Sequence, residues 1–260
     1  MKLVTFNIRC ESAVDGVNRF FFRRGLILDY IEKQQPDVIC FQEMKHEMNS
    51  YMREHLAHIG YTLVGGGRGS DWESEHNPVA FKHDKYELLG LDTTWLSETP
   101  YVPGSRYPLQ SSCPRIITWA LLRPLENGSQ PFHIFNTHLD HQQADARIRG
   151  AKRVCEVIKE KTAHWDFPFA LCGDFNAYPQ DEELGVFYTS PLGMTEQTVG
   201  MGTTWHDWGR GTSPQIDYIF TRGFDRVGEV VKWDQELNGI YLSDHYPLEA
   251  ELVRTDGGAA

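Results

Sequence analysis

The sequence has no long hydrophobic run. None of its apolar stretches approaches the ~20 residues that a membrane-spanning helix needs, and residues 1–6 have the pattern of a strand, not of a charged leader with a cleavage site. The five cysteines are dispersed without a CxxC pair, which disfavours a zinc site or a disulfide framework and predicts reduced core thiols. They are Cys10, Cys40, Cys113, Cys155 and Cys172. We therefore expect a cytoplasmic protein without stable membrane association.

Basic residues are also in short supply. The chain has 25 lysines and arginines against 36 aspartates and glutamates, for a formal net charge of −11. A protein that binds long nucleic acid through a broad basic surface needs the opposite balance. The composition leaves open a site that binds one phosphate through a metal ion, because clustered carboxylates bind the metal and also make the net charge negative.

Two common catalytic signatures are missing as well. There is no Gly-x-Ser-x-Gly nucleophile elbow, and the glycine-rich segment 65–70 lacks the Gly-Lys-Ser/Thr ending of a phosphate-binding loop. We interpret this segment as a flexible loop at the rim of the fold.

The hydrophobic pattern that is present predicts sheets covered by helices. The chain has 260 residues, 40% of them hydrophobic, which is enough for a sizeable core. Helices separate strands in both halves, which favours a single α/β domain over residues 1–254 and a frayed tail over 255–260. Predicted helices cover residues 19–33, 44–59 and 142–161. Predicted strands cover residues 3–9, 38–41, 61–64, 78–82, 86–96, 115–122, 132–138, 167–172, 215–220, 226–232 and 247–253.

One stretch, Gly173-Asp174-Phe175-Asn176, combines a carboxylate and an amide at the end of a buried strand. On an extended chain residues i and i+2 share a face, so Asp174 and Asn176 would point together. A carboxylate there can take a proton from water, and an amide can hold a developing anion. The alternative is an ordinary turn, because Gly, Asp and Asn all favour turns.

Polar side chains recur at the ends of other predicted strands. With the pair above, they form the set Asn7, Glu43, His138, Asp174, Asn176, Asp217, Asp244 and His245. Each one alone has an ordinary explanation, such as a turn, a helix cap or a buried hydrogen-bonded group. As a set, oxygen ligands suit Mg²⁺ or Mn²⁺, and two histidines with acidic neighbours suit charge stabilisation and proton transfer. The set predicts metal-assisted hydrolysis of a phosphate ester.

Six short motifs carry a resemblance to a known family. In chain order they are TFNIR at 5–9, FQEM at 41–44, NTHLD at 136–140, GDFN at 173–176, IDYI at 216–219 and SDHYP at 243–247. Their residues and their order resemble the endonuclease/exonuclease/phosphatase superfamily. The resemblance implies a four-layer α/β/β/α sandwich of two mixed β-sheets flanked by helices.

The resemblance also implies a metal site. Glu43 and Asn7 would hold a catalytic Mg²⁺, for which Mn²⁺ can substitute. Asp244 would lie nearby as a further ligand and as the partner of His245.

The remaining motif residues would perform the reaction. Asp174 would orient and deprotonate the attacking water, while Asn176 and His138 would bind the phosphate oxygens. His245 would stabilise the charge on the pentacovalent phosphorus. In this family the residue at the position of Asp217 is associated with orienting the histidine that corresponds to His138.

Two further stretches, TWLSETP at 94–100 and CPRIITWA at 113–120, resemble a bacterial subgroup close to the deadenylase-like branch. Arg115 is either a phosphate-binding residue, since a guanidinium matches phosphate geometry, or a surface cation beside a strand. Trp95, Trp205 and His206 either line a substrate pocket and stack on a base or sugar, or pack the rim.

The loops favour a small substrate over duplex DNA. Segments 65–77, 97–114 and 200–214 carry Trp, His, Asp and Pro in place of basic runs, and no helix is rich in Lys and Arg. We expect a monomeric Mg²⁺-dependent hydrolase of phosphate esters, phosphodiesterase- or nuclease-like, acting on single-stranded nucleic acid, a nucleotide or a small phosphorylated molecule. The alternatives are a phosphomonoesterase on a small phosphorylated metabolite and a non-catalytic binding module of the same fold.

Overall fold

The computed structural model describes residues 1–255, and the tail predicted over 255–260 lies, apart from Thr255, outside the described residues. A short 3₁₀ helix spans Ala13–Asn18. The α-helices are α1 (Phe20–Gln34), α2 (His46–His58), α3 (Ala144–Thr162) and α4 (Glu182–Tyr188). The strands are β1 (Lys2–Asn7), β2 (Val38–Gln42), β3 (Met44–Lys45), β4 (Tyr61–Val64), β5 (Glu75–His76), β6 (Val79–Lys82), β7 (Tyr86–Trp95), β8 (Ile116–Pro124), β9 (Phe132–His138), β10 (Phe169–Asp174), β11 (Thr195–Glu196), β12 (Asp217–Arg222), β13 (Phe224–Lys232), β14 (Glu236–Leu237), β15 (Ile240–Tyr241) and β16 (Leu248–Arg254).

Most of the strands form two six-stranded sheets. The first has the order β13-β16-β1-β2-β6-β4, and the second has the order β11-β12-β10-β9-β8-β7. Each sheet contains one parallel pair, β1 with β2 and β9 with β10. Their other neighbouring strands pair antiparallel. Both sheets are therefore mixed.

Three apolar cores separate the layers. Residues such as Cys40, Ile134 and Cys172 fill the space between the two sheets. Helices α1 and α2 cover the outer face of the first sheet, where Ile27 of α1 and Met52 of α2 are buried. Helices α3 and α4 cover the outer face of the second sheet. The protein is a four-layer α/β/β/α sandwich, as the motifs implied.

The hydrophobic pattern located the long elements well and the short ones poorly. Helices α1, α2 and α3 begin and end within two residues of the predicted bounds. The hydrophobic pattern does not predict α4, which has seven residues, because two turns are too short to show a helical period. Among residues 1–255, no helix combines the length and apolar character needed to cross a bilayer. All five cysteines are unpaired, with Cys40 and Cys172 buried.

A buried polar clamp joins the two sheets. Asn136 of β9 accepts a hydrogen bond at 2.8 Å from Nε2 of Gln42, which ends β2. Its Nδ2 donates to the carbonyl oxygens of Phe41 at 2.7 Å and Pro78 at 3.0 Å. Because buried polar groups are costly when unpaired, this clamp also fixes how the sheets, and the active-site residues on them, align.

Replacing Asn136 by leucine is expected to lower the free energy of unfolding by about 2 kcal/mol, because it removes the clamp and leaves buried partners unpaired. Urea denaturation of the two proteins measures the difference. Asn127→Leu in the exposed turn after β8 is the matched control and should change stability by no more than about 0.5 kcal/mol. Equal unfolding midpoints for both variants would contradict the clamp.

Candidate active site

The candidate site lies where strands of both sheets end side by side. In the first sheet Asn7 ends β1, and the parallel pairing of β2 brings Glu43 just past the same edge. In the second sheet Asp174 ends β10 next to His138, which ends the parallel strand β9. On its other side Asp174 pairs with Asp217, the first residue of the antiparallel strand β12. The pairing register thus gathers groups far apart in sequence.

Turns after the strands aim the side chains. Arg9, Glu43 and Asn176 all have positive φ, at 57°, 63° and 48°, a conformation that is costly for residues other than glycine. The expected extended geometry of Asp174 and Asn176 is therefore wrong. The strand ends at Asp174, whose Oδ1 accepts a hydrogen bond from the backbone N–H of Asn176 at 2.9 Å. A turn, and not a shared strand face, brings the two side chains together.

Gly173 is required by the close approach of β9. A Cβ atom at this position would lie 2.2 Å from the carbonyl oxygen of Thr137. Any side chain would push β10 away from β9, and with it Asp174 away from His138. The glycine is thus part of the site although it carries no chemical group.

Asp174 lies at the centre of the cluster. Its Oδ2 accepts a hydrogen bond from Nδ2 of Asn7 at 2.9 Å, and the same Nδ2 donates to Oε1 of Glu43 at 3.0 Å. Nε2 of His138 lies 3.6 Å, and Nε2 of His245 lies 3.8 Å, from this carboxylate oxygen. Five predicted site residues from five chain segments therefore meet within hydrogen-bond or ion-pair distance.

Asp217 contacts His245, not His138. Its Oδ2 accepts a hydrogen bond from Nδ1 of His245 at 2.9 Å, and both residues are buried. This corrects the role that the resemblance implied for Asp217. It also corrects the expectation that Asp244 is the partner of His245. The second ring nitrogen of His245 is left facing Asp174 and the cleft.

Asp244 instead faces Trp205 and Arg9. Its Oδ2 accepts a hydrogen bond from Nε1 of Trp205 at 3.3 Å and lies 3.8 Å from Nε of Arg9. The neighbouring Ser243 donates from Oγ to the carbonyl oxygen of Asn7 at 2.6 Å. The last motif is thereby tied to the first.

Arg23 also connects the first motif to the last. Its guanidinium is fully buried in α1 and donates to the carbonyl oxygens of Ile8, Arg9 and Leu242. Those carbonyls belong to the loops that carry Asn7 and Asp244. One buried cation therefore holds together two loops that are more than two hundred residues apart in sequence.

The electrostatic environment separates the roles of the two central carboxylates. Burial and the charge of Asp217 raise the pKa of Asp174 to about 7. Burial opposes the charge on Glu43 as well, but the hydrogen bond from Asn7 and the charges of His245 and Arg9 hold its pKa below the usual range. Glu43 is thus ionised at neutral pH, while Asp174 has a carboxyl group that gains and loses a proton there.

The two histidines also differ. Burial lowers the pKa of His245, but the charge and hydrogen bond of Asp217 outweigh it and raise the pKa to about 10. Burial and the charge of Arg115 lower the pKa of His138 well below its usual value. His245 is therefore a cation and His138 is neutral. Consistently, Nε2 of His138 lies 2.9 Å from Nδ2 of Asn176, which can only donate.

The cluster opens into a cleft of about 580 Å³, a size typical of small-molecule sites. Of the predicted substrate-binding residues, Arg115 and Trp205 line the cleft. Trp95 does not, since it is buried with its Nε1 donating to the carbonyl oxygen of Arg68. His206 does not either, because it is buried and its ring stacks on Tyr246 at 4.0 Å. Both are packing residues.

Comparison with known proteins identifies the family. A model of the endonuclease/exonuclease/phosphatase family matches residues 4–245. The chain belongs to this family. It is 26% identical to Nocturnin of Mus musculus over 215 residues, which cover 75% of this chain and 47% of Nocturnin. The chain thus spans about half the length of the curated Nocturnin relatives that it matches.

Solved structures agree with this membership. An endonuclease/exonuclease/phosphatase from Bacteroides vulgatus is 28% identical with a TM-score of 0.88, and the match covers 97% of this chain and 98% of that one. A mannosyl-6-phosphatase from Bacteroides thetaiotaomicron has a TM-score of 0.84 at 24% identity, covering 97% and 99%, which shows the shared fold alone. The chain therefore shares both the sequence pattern and the fold of the endonuclease/exonuclease/phosphatase family.

The residues present fit the metal that endonuclease/exonuclease/phosphatase proteins use. Ligand atoms of Glu43, His138 and Asp174 all lie within 4.8 Å of one another, and so do those of Asp174, Asp217 and His245. Glu43 is ionised and only partly buried, so its carboxylate can offer the oxygen that Mg²⁺ prefers. The amide nitrogen of Asn7 faces the carboxylates of Glu43 and Asp174. Its Oδ1, the atom that would bind a metal, accepts a hydrogen bond from the backbone N–H of Arg9 at 3.0 Å.

Sequence reasoning missed three charged residues, Arg9, Arg68 and Glu75, and one histidine, His141, that line the cleft. Arg9 ends the first motif and His141 directly follows the third, so their positions were a usable signal. Arg68 belongs to the glycine-rich segment that we interpreted as a rim loop. Glu75 lies in a two-residue strand, and nothing in the sequence marked it.

Proposed function

We propose that this family member is a Mg²⁺-dependent hydrolase of phosphate esters, phosphodiesterase- or nuclease-like, in which Asp174 activates the attacking water. The observation that supports it most is the position of Asp174, which is hydrogen-bonded to Asn7 beside Glu43 and faces two histidines of different charge. Glu43 and Asn7 would hold the metal, with Asp244 nearby. When bound, Mg²⁺ polarises a phosphate oxygen as a Lewis acid, and Mn²⁺ can serve the same purpose.

Asp174 acts as the general base in this proposal. Hydrogen bonds from Nδ2 of Asn7 and from the backbone N–H of Asn176 fix its carboxylate at 2.9 Å each. A fixed carboxylate orients a water molecule and accepts its proton as the water attacks phosphorus. Asn176 and His138, which line the cleft beside it, bind the phosphate oxygens.

His245 stabilises the charge that develops during the attack. The buried carboxylate of Asp217 fixes its ring through Nδ1 and keeps it protonated, so Nε2 can donate to a phosphate oxygen. The preorganised cation is strongest where water is excluded, and His245 is buried.

A substrate panel tests the proposal and also decides between ester classes. We expect the purified protein to cleave at least one of oligo-adenylate, single-stranded DNA, nucleotide phosphates or sugar phosphates in Mg²⁺, and duplex DNA and choline phospholipids more slowly. Preference for diesters supports the leading hypothesis, whereas preference for sugar or nucleotide monoesters supports the phosphomonoesterase alternative. Absence of turnover on every ester in both Mg²⁺ and Mn²⁺ would leave only the binding-module hypothesis.

A further inference from the structure

We propose that Arg68 and Arg115 form an anion-binding subsite in the cleft, which takes a phosphate or carboxylate group of the substrate other than the group being hydrolysed. This inference rests on the proposed function and specifies its substrate class. It would make the protein selective for molecules with two anionic groups, such as a short oligonucleotide with a terminal phosphate or a bisphosphorylated metabolite.

The first support is the burial of the two arginines without sufficient partners. Arg115 is 4% exposed and Arg68 is 7% exposed, yet both line the cleft. Nε and Nη1 of Arg115 and Nε of Arg68 have no hydrogen-bond partner among the described residues. A guanidinium carries five N–H donors, and leaving buried donors unpaired is costly.

The second support is that the nearest acid, Asp140, does not satisfy the N–H donors of Arg115. Asp140 lies 3.8 Å from its Nε, and that carboxylate already accepts hydrogen bonds from Oγ of Ser111 and from the backbone N–H groups of Gln142 and Gln143. The remaining contact of Arg115 is with Nδ1 of His141 at 2.8 Å. Burial and the charge of Arg68 lower the pKa of Arg115.

Arg68 is better paired but not saturated. Its Nη2 lies 2.9 Å from Oε1 of Glu75, which is partly buried and also lines the cleft. Burial raises the pKa of Glu75. Despite this ion pair, Nε of Arg68 has no hydrogen-bond partner among the described residues. A bound anion would supply acceptors for the unpaired N–H groups of both arginines.

The third support is that this pair makes no ion pair with the carboxylates of the reacting centre, although Arg115 is close enough to His138 to lower its pKa. Among the described residues, the arginine that lies within 4 Å of these carboxylates is Arg9, at 3.9 Å from Glu43 and 3.8 Å from Asp244. Within the described residues neither Arg68 nor Arg115 makes an ion pair with Glu43 or Asp174. The cleft thus has basic groups at two places, and a guanidinium fork matches phosphate or carboxylate oxygens.

Matched substrates test the subsite. The dinucleotide TpT has one phosphate, and pTpT adds a terminal phosphate without changing the diester. For the wild-type protein we expect a KM at least about tenfold lower for pTpT. In Arg115→Gln and Arg68→Gln this preference should disappear, because the KM for pTpT should rise to that for TpT. Arg123→Gln, an exposed arginine near the other end of β8, is the matched control and should keep the preference.

Two results would overturn the subsite. If the arginine variants lose kcat equally on both dinucleotides, the arginines hold the reacting phosphate instead. The second contrary result is that Arg115→Gln binds sulfate as tightly as the wild type does, measured by calorimetry with chelator present. Circular dichroism checks folding, and Arg115→Lys, which keeps the charge but lacks the fork, replaces a variant that does not fold. If the wild type cleaves no ester, the proposed function fails, but the sulfate titration still decides the subsite.

Discussion

Replacing Asp174 by asparagine is expected to lower kcat by about 10³-fold, with little change in KM, because general-base catalysis contributes effects of this order. Asparagine keeps the shape of the side chain and can still accept the hydrogen bond from the backbone of Asn176. It cannot accept a proton from water. Steady-state kinetics on the best ester of the panel, in saturating Mg²⁺, give the two constants.

The control for this substitution is Asp145→Asn in the first turn of α3. Asp145 is exposed and pairs with Arg149 on the helix surface, so its loss should leave kcat within about twofold, as expected for a surface position. Thermal melting shows whether both variants fold. A folded Asp174→Asn protein with the wild-type rate would show that this carboxylate is not the base.

Replacing Asp217 by asparagine is expected to lower kcat at pH 8 by about 10²-fold. Asp217 makes the largest of the contributions that raise the pKa of His245 to about 10 against the opposing effect of burial. Without its charge and hydrogen bond, the pKa of His245 should fall towards neutrality, and the ring should lose its charge at pH 8. NMR titration of the imidazole in the metal-free protein measures this pKa directly.

The same pair makes a pH-dependent contribution to stability. The pKa of His245 is higher in the folded protein, at about 10, than its ordinary value of 6.5. The pair therefore stabilises the fold fully below pH 6.5, and this contribution is lost as the pH rises towards 10. The difference in unfolding free energy between wild type and Asp217→Asn should shrink over that range. In Asp207→Asn, a control on the rim near His206, the pKa of His245 should stay unchanged.

The sequence could predict the layers and the membership of the site, because both depend on local patterns. Apolar runs that end in Asn7, His138 or Asp174 can be seen in the sequence alone, and so can the order of the six motifs along the chain. The side-chain contacts between distant segments of the site cannot be seen in this way. Asp217 and His245 lie 28 residues apart, and nothing in the chain shows that β12 presents Asp217 to His245 and not to His138.

The other differences between the sequence-based expectations and the structure arise from burial of side chains. Arg23 is one basic residue of an amphipathic helix in the sequence, but in the fold it is fully buried among the carbonyl groups of the site loops. Trp95 ends a strand as the site residues do, yet its indole points into the structure and packs edge-on against Trp72 at 4.8 Å. Sequence position at a strand end is therefore a useful signal for this site but not a sufficient one.

The most direct test of the central claim is a Mg²⁺ titration of ester hydrolysis in chelator-treated protein. We expect no turnover without metal, saturation in the wild type, and a midpoint raised at least about tenfold in Glu43→Gln, which corresponds to about 1.4 kcal/mol of binding energy. Glu47→Gln, an exposed glutamate in α2, should titrate like the wild type. Turnover that survives complete removal of divalent metal, or an unchanged midpoint in Glu43→Gln, would contradict a metal-dependent centre built on Glu43.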